Sequence, residues 1–222
     1  MMSGLIFPNE SDAYRKARDE LLKAEILLRQ QLADVSAQRA RLPPGGEIAE
    51  DYVFKRLNAD GASENISIAE LFVEGHSSLF IYSFMFGPDM PHPCPMCTSM
   101  LDALNGNARS IKERISVAIV ARSPIERVAK FANNRGWHQL PIVSSAGNSY
   151  QRDYFGETED GTQMPMANVF VKKGTRVRHF WGSEMLYAEL DGQPRHVDLL
   201  WPLWNVLDLT PEGRGADWYP AI

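Results

Sequence analysis

Along the first forty residues, apolar side chains recur every three or four positions, which is the spacing of one face of an α-helix. The series is Tyr14, Ala17, Leu21, Ala24, Leu28, Leu32 and Val35. Asn9 or Ser11 is a candidate N-cap, and the LPPGG sequence at 42–46 must end the helix because proline cannot donate to the helix ladder. We predict a helical arm over residues 1–46, with an apolar stripe that packs either on its own domain or on a second copy in a homodimer.

Residues 51–68 predict a pair of short strands with a turn between them. The turn is the Asn-Ala-Asp-Gly sequence at 58–61, whose residue types favour tight turns. Ser67 and Glu70 follow with the spacing of a capping box, which indicates a brief helical turn. The domain that we predict over 47–222 would begin with these elements.

Two later segments are apolar without alternation: SLFIYSFMF at 78–86 and ISVAIVARS at 115–123. Such segments are typical of strands that are buried on both faces of a sheet. A predicted helix follows each of them. The first, within 93–106, has apolar positions for an inner face, and the second begins at Ser123, which is followed by a proline and a glutamate in the positions that favour helix initiation.

The rest of the chain adds a short strand, a hairpin and a closing helix. The strand is LPIV at 140–143, and a polar connection with one helical turn leads to a hairpin over 166–181. The stripe at 195–209 predicts a helix in which Pro202 must lie near the start or cause a kink. Alternating strands and helices predict an α/β fold with a central mixed sheet flanked by helices.

The composition and charge of the chain argue against several classes of function. The chain has 222 residues, 44% of them hydrophobic, and a formal net charge of -5 without a basic block, which argues against nucleic-acid binding. No apolar run approaches the roughly 20 residues that a membrane span needs. The N-terminus lacks a signal-peptide pattern, so we expect a cytoplasmic protein. In that compartment a cysteine pair is more often catalytic or metal-binding than structural.

The chain has two cysteines, Cys94 and Cys97, at the junction of a buried strand and a predicted helix. The free amides and the partial positive charge of a helix N-terminus stabilise a thiolate. Pro95 suits the first helical position, where its missing N–H is not needed. We predict that Cys94 attacks a protein or small-molecule disulfide and that Cys97, one turn further on, resolves the adduct, with no cofactor.

Three stretches carry a resemblance to a known family: FMFGPDMPHPCPMCTSML, GWHQLPIVSS and LWNVLDLTPEGRGADWYP. They resemble a bacterial family of thioredoxin-like domains of unknown function, related to the alkyl hydroperoxide reductase/thiol-specific antioxidant group. The resemblance covers nearly the whole chain and implies a thioredoxin-like fold with the helical arm outside it. It also implies a cis-proline facing the cysteines at Pro165, which would present the amide and carbonyl of Met164 to an extended partner.

The chain departs from the better-known relatives at positions near the cysteines. The peroxiredoxin pattern has a threonine three residues before the reactive cysteine, where this chain has Pro91 before Cys94. This difference argues against peroxide reduction by the peroxiredoxin mechanism. Pro93 stands where a typical thioredoxin has tryptophan, and we predict that Pro93, His92 and Met164 contact the substrate.

Two other functions stay open at the level of the sequence. One is a metal-binding module, because thiolate and imidazole ligands suit Cu(I) or Zn(II); its ligands would be Cys94, Cys97 and His92. The other is a redox-inactive scaffold that keeps the fold for protein interaction.

Overall fold

The chain folds into two compact units that divide between Pro43 and Pro44. The computed structural model describes residues 4–191, 195–215 and 218–222. Within these ranges, no helix is both long enough and apolar enough to cross a membrane.

The first unit contains one long helix, α1 (Asp12–Ala40). Ser11 caps it: the Ser11 hydroxyl accepts a hydrogen bond from the backbone N–H of Tyr14 at 3.2 Å. The helix ends just before the LPPGG sequence, as predicted. Every residue of α1 is exposed or half-buried, and the predicted stripe includes Leu21 and Leu28, which are 51% and 56% exposed.

Among its described residues, the second unit is built around a seven-stranded mixed sheet. Its strands are β1 (Val53–Leu57), β2 (Ser63–Ser67), β3 (Ser78–Ser83), β4 (Ser116–Ala121), β5 (Ile142–Ser144), β6 (Met166–Lys173) and β7 (Arg176–Gly182). Their spatial order is β2-β1-β5-β4-β3-β6-β7. Strands β3, β4 and β5 are parallel to one another, and the other neighbours pair antiparallel. The two segments predicted as buried strands, β3 and β4, are therefore at the centre.

In the part of this unit that the structure describes there are four α-helices: α2 (Pro95–Ile111), α3 (Ile125–Arg135), α4 (Tyr150–Asp153) and α5 (Pro202–Leu207). The mixed sheet with its helices confirms the predicted α/β fold class, a central mixed sheet flanked by helices. Pro202 lies in the first turn of α5, as predicted from the restriction that proline places on a helix. The capping box also forms, since the N–H groups of Ser67 and Glu70 donate to each other's side chains at 2.8 and 3.3 Å.

The predicted cap of α3 is wrong. Its N-cap is Pro124, and no side chain there accepts a capping bond. Ser123 is buried, and its hydroxyl instead donates to the carbonyl oxygen of Gly87 at 2.9 Å. A buried hydroxyl must find partners, and here it donates to the loop that precedes the cysteines and accepts from the Arg127 side chain instead of capping the helix backbone.

The core lies on both faces of the sheet. Along β4, Val117 and Ile119 point into one apolar cluster, and the residue between them, Ala118, points into the other. The first cluster also contains Tyr82 of β3 and the inner face of α2, including Met100. Tyr82 is therefore on the same face of the sheet as the helix that begins at the cysteine pair.

Candidate functional site

Cys94 is the N-cap residue of α2, with extended backbone angles (φ -60°, ψ 123°). Its N–H donates to the carbonyl oxygen of Met85 at 3.0 Å, which ties it to the chain leaving β3. Its sulfur accepts a hydrogen bond from the N–H of Cys97 at 3.4 Å. The Thr98 hydroxyl donates to the Cys94 carbonyl oxygen at 2.9 Å, and Pro95 occupies the first helical position. The sulfur thus lies at the helix start predicted from the sequence.

This environment favours the thiolate of Cys94. Hydrogen bonds from the Cys97 thiol and from the backbone N–H groups of Cys97 and Met96 lower the pKa of Cys94 to about 6. Partial burial acts in the opposite direction, because it disfavours a charge. The hydrogen bonds prevail, so Cys94 is ionised at neutral pH.

Cys97 has the opposite character. It is only 2% exposed, and burial raises its pKa well above the ordinary value. The neighbouring Cys94 raises the pKa of Cys97 further. The hydroxyl of Tyr82 donates to the Cys97 sulfur at 3.3 Å and partly offsets that rise. Burial also raises the pKa of Tyr82, so this hydroxyl stays protonated and remains a donor. Neither cysteine is in a disulfide.

The loop between β3 and Cys94 is held by Arg127, from α3. The guanidinium group lies over the ring of Phe86, 4.3 Å from its centroid. It also donates to a series of backbone carbonyl oxygens, those of Gly87, Pro88, Met90 and Pro91. Arg127 therefore connects α3 with the segment that positions Cys94.

Both cysteines line a pocket of about 330 Å³. Most of its walls are apolar side chains, among them Met85, Met96, Leu186, Val197, Trp201 and Trp204. Tyr219, which is 63% exposed, also lines the pocket and brings it to the surface of the unit. Arg195, His196 and Asp198 supply the polar part of the lining.

Pro165 lies in the wall of this pocket, together with the cysteines. The prediction of a cis peptide bond there is wrong: every described peptide bond is trans, including that between Met164 and Pro165. The trans form is the more stable one unless the surrounding fold selects against it. The N–H of Met164 donates to the carbonyl oxygen of Gly156 at 2.9 Å, so this donor already has a partner.

The remaining predicted residues lie in the loop before α2. His92 is exposed and Pro93 is buried. In the described part of the chain, no group of three or more His, Cys, Asp or Glu residues could hold a metal ion. Cys94, Cys97 and His92 therefore do not assemble into the ligand set of the metal-binding alternative.

Several site residues were not predicted from the sequence. Tyr82 belongs to an uninterrupted apolar segment. Its hydroxyl, which needs a hydrogen-bond partner when buried, is the one sequence feature that indicates a polar contact there. His196 comes from the C-terminal segment, where its Nδ1 lies 3.1 Å from the Ser183 hydroxyl oxygen. Trp201 and Trp204 lie in the stripe at 195–209 that predicted only a helix, and their ring centroids are 5.3 Å apart, edge to face, beside the pocket.

Comparison with solved structures finds peroxiredoxins. The chain is similar to thioredoxin peroxidase I of Plasmodium yoelii, with 14% identity and a TM-score of 0.47 over 79% of this chain and 96% of that one. Peroxidoxin BcpB of Mycobacterium tuberculosis has 17% identity and a TM-score of 0.42, over 72% and 94% of the two chains. A peroxiredoxin-like protein of Aquifex aeolicus has 12% identity and a TM-score of 0.42, over 64% and 75%.

Sequence comparison identifies the family. No curated protein matches the chain. The family model described as a bacterial protein of unknown function, DUF899, matches residues 6–222, which is nearly the whole sequence. The chain belongs to this family of bacterial proteins of unknown function, DUF899.

Proposed function

We propose that the protein is a thiol–disulfide oxidoreductase in which Cys94 attacks and Cys97 resolves. The observation that carries this proposal is the contrast between the two thiols. Cys94 is half-buried at a helix N-terminus, with a pKa lowered to about 6, whereas Cys97 is buried with a raised pKa. A nucleophile needs a thiolate and access to its substrate, and Cys94 has both.

The reaction has two exchanges and transfers two electrons. In the first, the Cys94 thiolate attacks one sulfur of a substrate disulfide, forms a mixed disulfide and releases one substrate thiolate. In the second, the Cys97 sulfur loses its proton and attacks the Cys94 sulfur, which releases the other substrate thiol. The substrate disulfide is reduced and the protein is left with a Cys94–Cys97 disulfide, which a dithiol reductant can open by the reverse sequence.

Tyr82 supports the second exchange. Cys97 must carry negative charge as it attacks, and its buried surroundings disfavour that charge. The Tyr82 hydroxyl donates to the Cys97 sulfur and therefore stabilises the charge where it develops. Because Tyr82 stays neutral, it acts as a hydrogen-bond donor rather than as the base that removes the proton.

A defined disulfide tests the proposal. Reduced protein is mixed with hydroxyethyl disulfide and its intact mass is followed. The unchanged chain should lose two hydrogens as Cys94 and Cys97 join. Cys97→Ser should keep one hydroxyethylthio group on Cys94, since nothing resolves the adduct, and Cys94→Ser should form neither product. Persistent free thiols in the unchanged chain would favour the redox-inactive scaffold instead.

We also propose that α1 mediates a homodimer. Its apolar stripe contains Tyr14, Leu21, Leu28 and Val35 at intervals of seven residues, and all four side chains are exposed. Seven-residue spacing is the pattern by which two helices pack along a seam. With 29 residues, α1 is about 43 Å long, so the seam could extend over four heptads.

A further inference from the structure

The pocket at the cysteine pair offers a substrate mainly apolar contacts. Trp201 and Trp204 present aromatic surface, and Met85 and Met96 present flexible apolar side chains that adapt to irregular shapes. A volume of about 330 Å³ is at the lower end of the range for small-molecule sites. A compact apolar group fits such walls better than an extended polar chain does.

The charged residues beside the pocket already neutralise one another. Arg195 forms ion pairs with Asp198 and Asp208, the latter at 2.7 Å. Arg214 pairs with the same two carboxylates, each at 2.7 Å, and its guanidinium lies 5.2 Å from the ring centroid of Trp204. Two arginines and two aspartates thus form a cluster of zero net charge, which gives a charged substrate no net attraction.

Two further polar groups beside the pocket also have partners. His196 is linked to Ser183 through Nδ1, and burial lowers its pKa, so its ring is neutral at pH 7. The Met164 N–H, which could have paired with an extended peptide beside Pro165, is bonded to Gly156. The thiolate of Cys94 is then the one uncompensated charge among the described lining residues, and it repels substrate anions.

We propose that the substrate is a compact, uncharged disulfide with an aromatic or aliphatic group, and that this group binds in the pocket while its sulfur meets Cys94. The proposal rests on the oxidoreductase function above and specifies its substrate class. In the first exchange the apolar group stays in the pocket as the mixed disulfide with Cys94 forms. Attack by Cys97 then releases it as a thiol, and the protein becomes the disulfide.

A panel of disulfides tests this class in single-turnover reactions with reduced protein. The panel contains 4,4'-dithiodipyridine and hydroxyethyl disulfide, which are uncharged at neutral pH, the dianionic 5,5'-dithiobis(2-nitrobenzoate), oxidised glutathione and the disulfides of insulin. Each rate is divided by the rate of the same disulfide with dithiothreitol, which removes differences in intrinsic reactivity. We expect normalised rates for the uncharged disulfides to exceed those for the charged ones and for insulin by about tenfold or more, the effect of roughly 1.4 kcal/mol.

A matched pair of variants links this selectivity to the pocket. Leu186 is half-buried in the pocket wall, and Met185, its neighbour on the same turn, is exposed and outside the lining. Leu186→Asp should lower the preference for uncharged disulfides at least about threefold, because it places a carboxylate in the wall. Met185→Asp adds the same charge next to the pocket and should keep the preference. Iodoacetamide alkylation of Cys94 in each variant corrects for changes in thiolate reactivity.

The outcomes separate this inference from the proposed function. If charged and uncharged disulfides oxidise the protein at equal normalised rates, or if insulin reacts fastest, the substrate class is wrong while the oxidoreductase function stands. If both variants lose the preference equally, the pocket is not its cause and the inference is also wrong. If no disulfide in the panel oxidises Cys94 and Cys97, the proposed function and the substrate class fail together.

Discussion

At the scale of single residues, the reactivity of the site depends on the thiolate of Cys94. Its pKa is lowered to about 6, so the ionised form grows as the pH rises through 6 and is nearly complete at pH 7. We predict that the rate of iodoacetamide alkylation at Cys94 follows this titration and reaches a plateau above about pH 7.5, whereas an ordinary thiol titrates near 8.5. Peptide mass spectrometry identifies the labelled cysteine.

Two variants control this pH profile. Cys97→Ala removes the thiol that donates to Cys94, so the titration should move to higher pH. Cys94→Ser leaves Cys97 alone, and its burial should keep it unlabelled through the same pH range. Labelling of Cys97 before Cys94 in the unchanged chain would reverse the roles assigned to the two residues.

The second prediction at this scale concerns Tyr82. Tyr82→Phe removes the hydrogen bond to the Cys97 sulfur, which is worth about 1.5–3 kcal/mol when the acceptor is charged. The mixed disulfide should therefore persist roughly ten times longer or more, while the first attack by Cys94 changes little. Quenched-flow sampling with mass detection follows both steps. Tyr150→Phe removes a buried hydroxyl on the other face of the sheet and should leave both rates alone.

At the scale of elements, the junction between β3 and α2 decides where Cys94 lies. Arg127 holds this junction from α3 through several carbonyl oxygens and the ring of Phe86. Arg127→Gln should lower the free energy of unfolding by about 1–3 kcal/mol, because carbonyl groups of the loop lose a charged donor. It should also slow alkylation at Cys94, since the loop that positions this residue becomes less constrained.

Further substitutions on α3 separate the contribution of the Arg127 charge from that of its hydrogen-bonding geometry. Arg127→Lys keeps the charge but loses the fork of donors that reaches several carbonyls, so we expect it to recover only part of the loss. Lys130→Gln removes an exposed charge on α3 and should change neither denaturant unfolding nor alkylation by a measurable amount. A full recovery by lysine would show that charge alone, rather than the bonding geometry, matters at Arg127.

At the scale of the whole molecule, the exposed stripe of α1 predicts self-association. Leu21→Glu with Leu28→Glu places charges in the seam and should convert a dimer to a monomer in sedimentation velocity. Lys23→Glu with Gln30→Glu places charges on the far side of the helix, about 160° from the two leucines at roughly 100° per residue, and should keep the dimer. If the unchanged chain sediments as a monomer, α1 has no role in homodimer formation.

Much of the architecture could be predicted from the sequence, because the relevant signals are local. The continuous apolar segments of β3 and β4 indicated the centre of the sheet, and the LPPGG sequence marked the end of α1. The position of Cys94 followed from a cysteine before a proline at the start of a helical pattern. Spacing, chain direction and the lack of a proline N–H are properties of neighbouring residues, so they can be recognised in the sequence without knowledge of the fold.

The tertiary structure decided which side chains meet at the two sulfurs. Tyr82 reaches Cys97 from β3, and Trp201 and His196 reach the pocket from about a hundred residues further along the chain. In the folded chain the peptide bond before Pro165 is trans, and the Ser123 hydroxyl donates to a loop carbonyl oxygen instead of capping a helix. These outcomes depend on long-range packing and on the pairing of buried polar groups, which no local pattern of residues specifies.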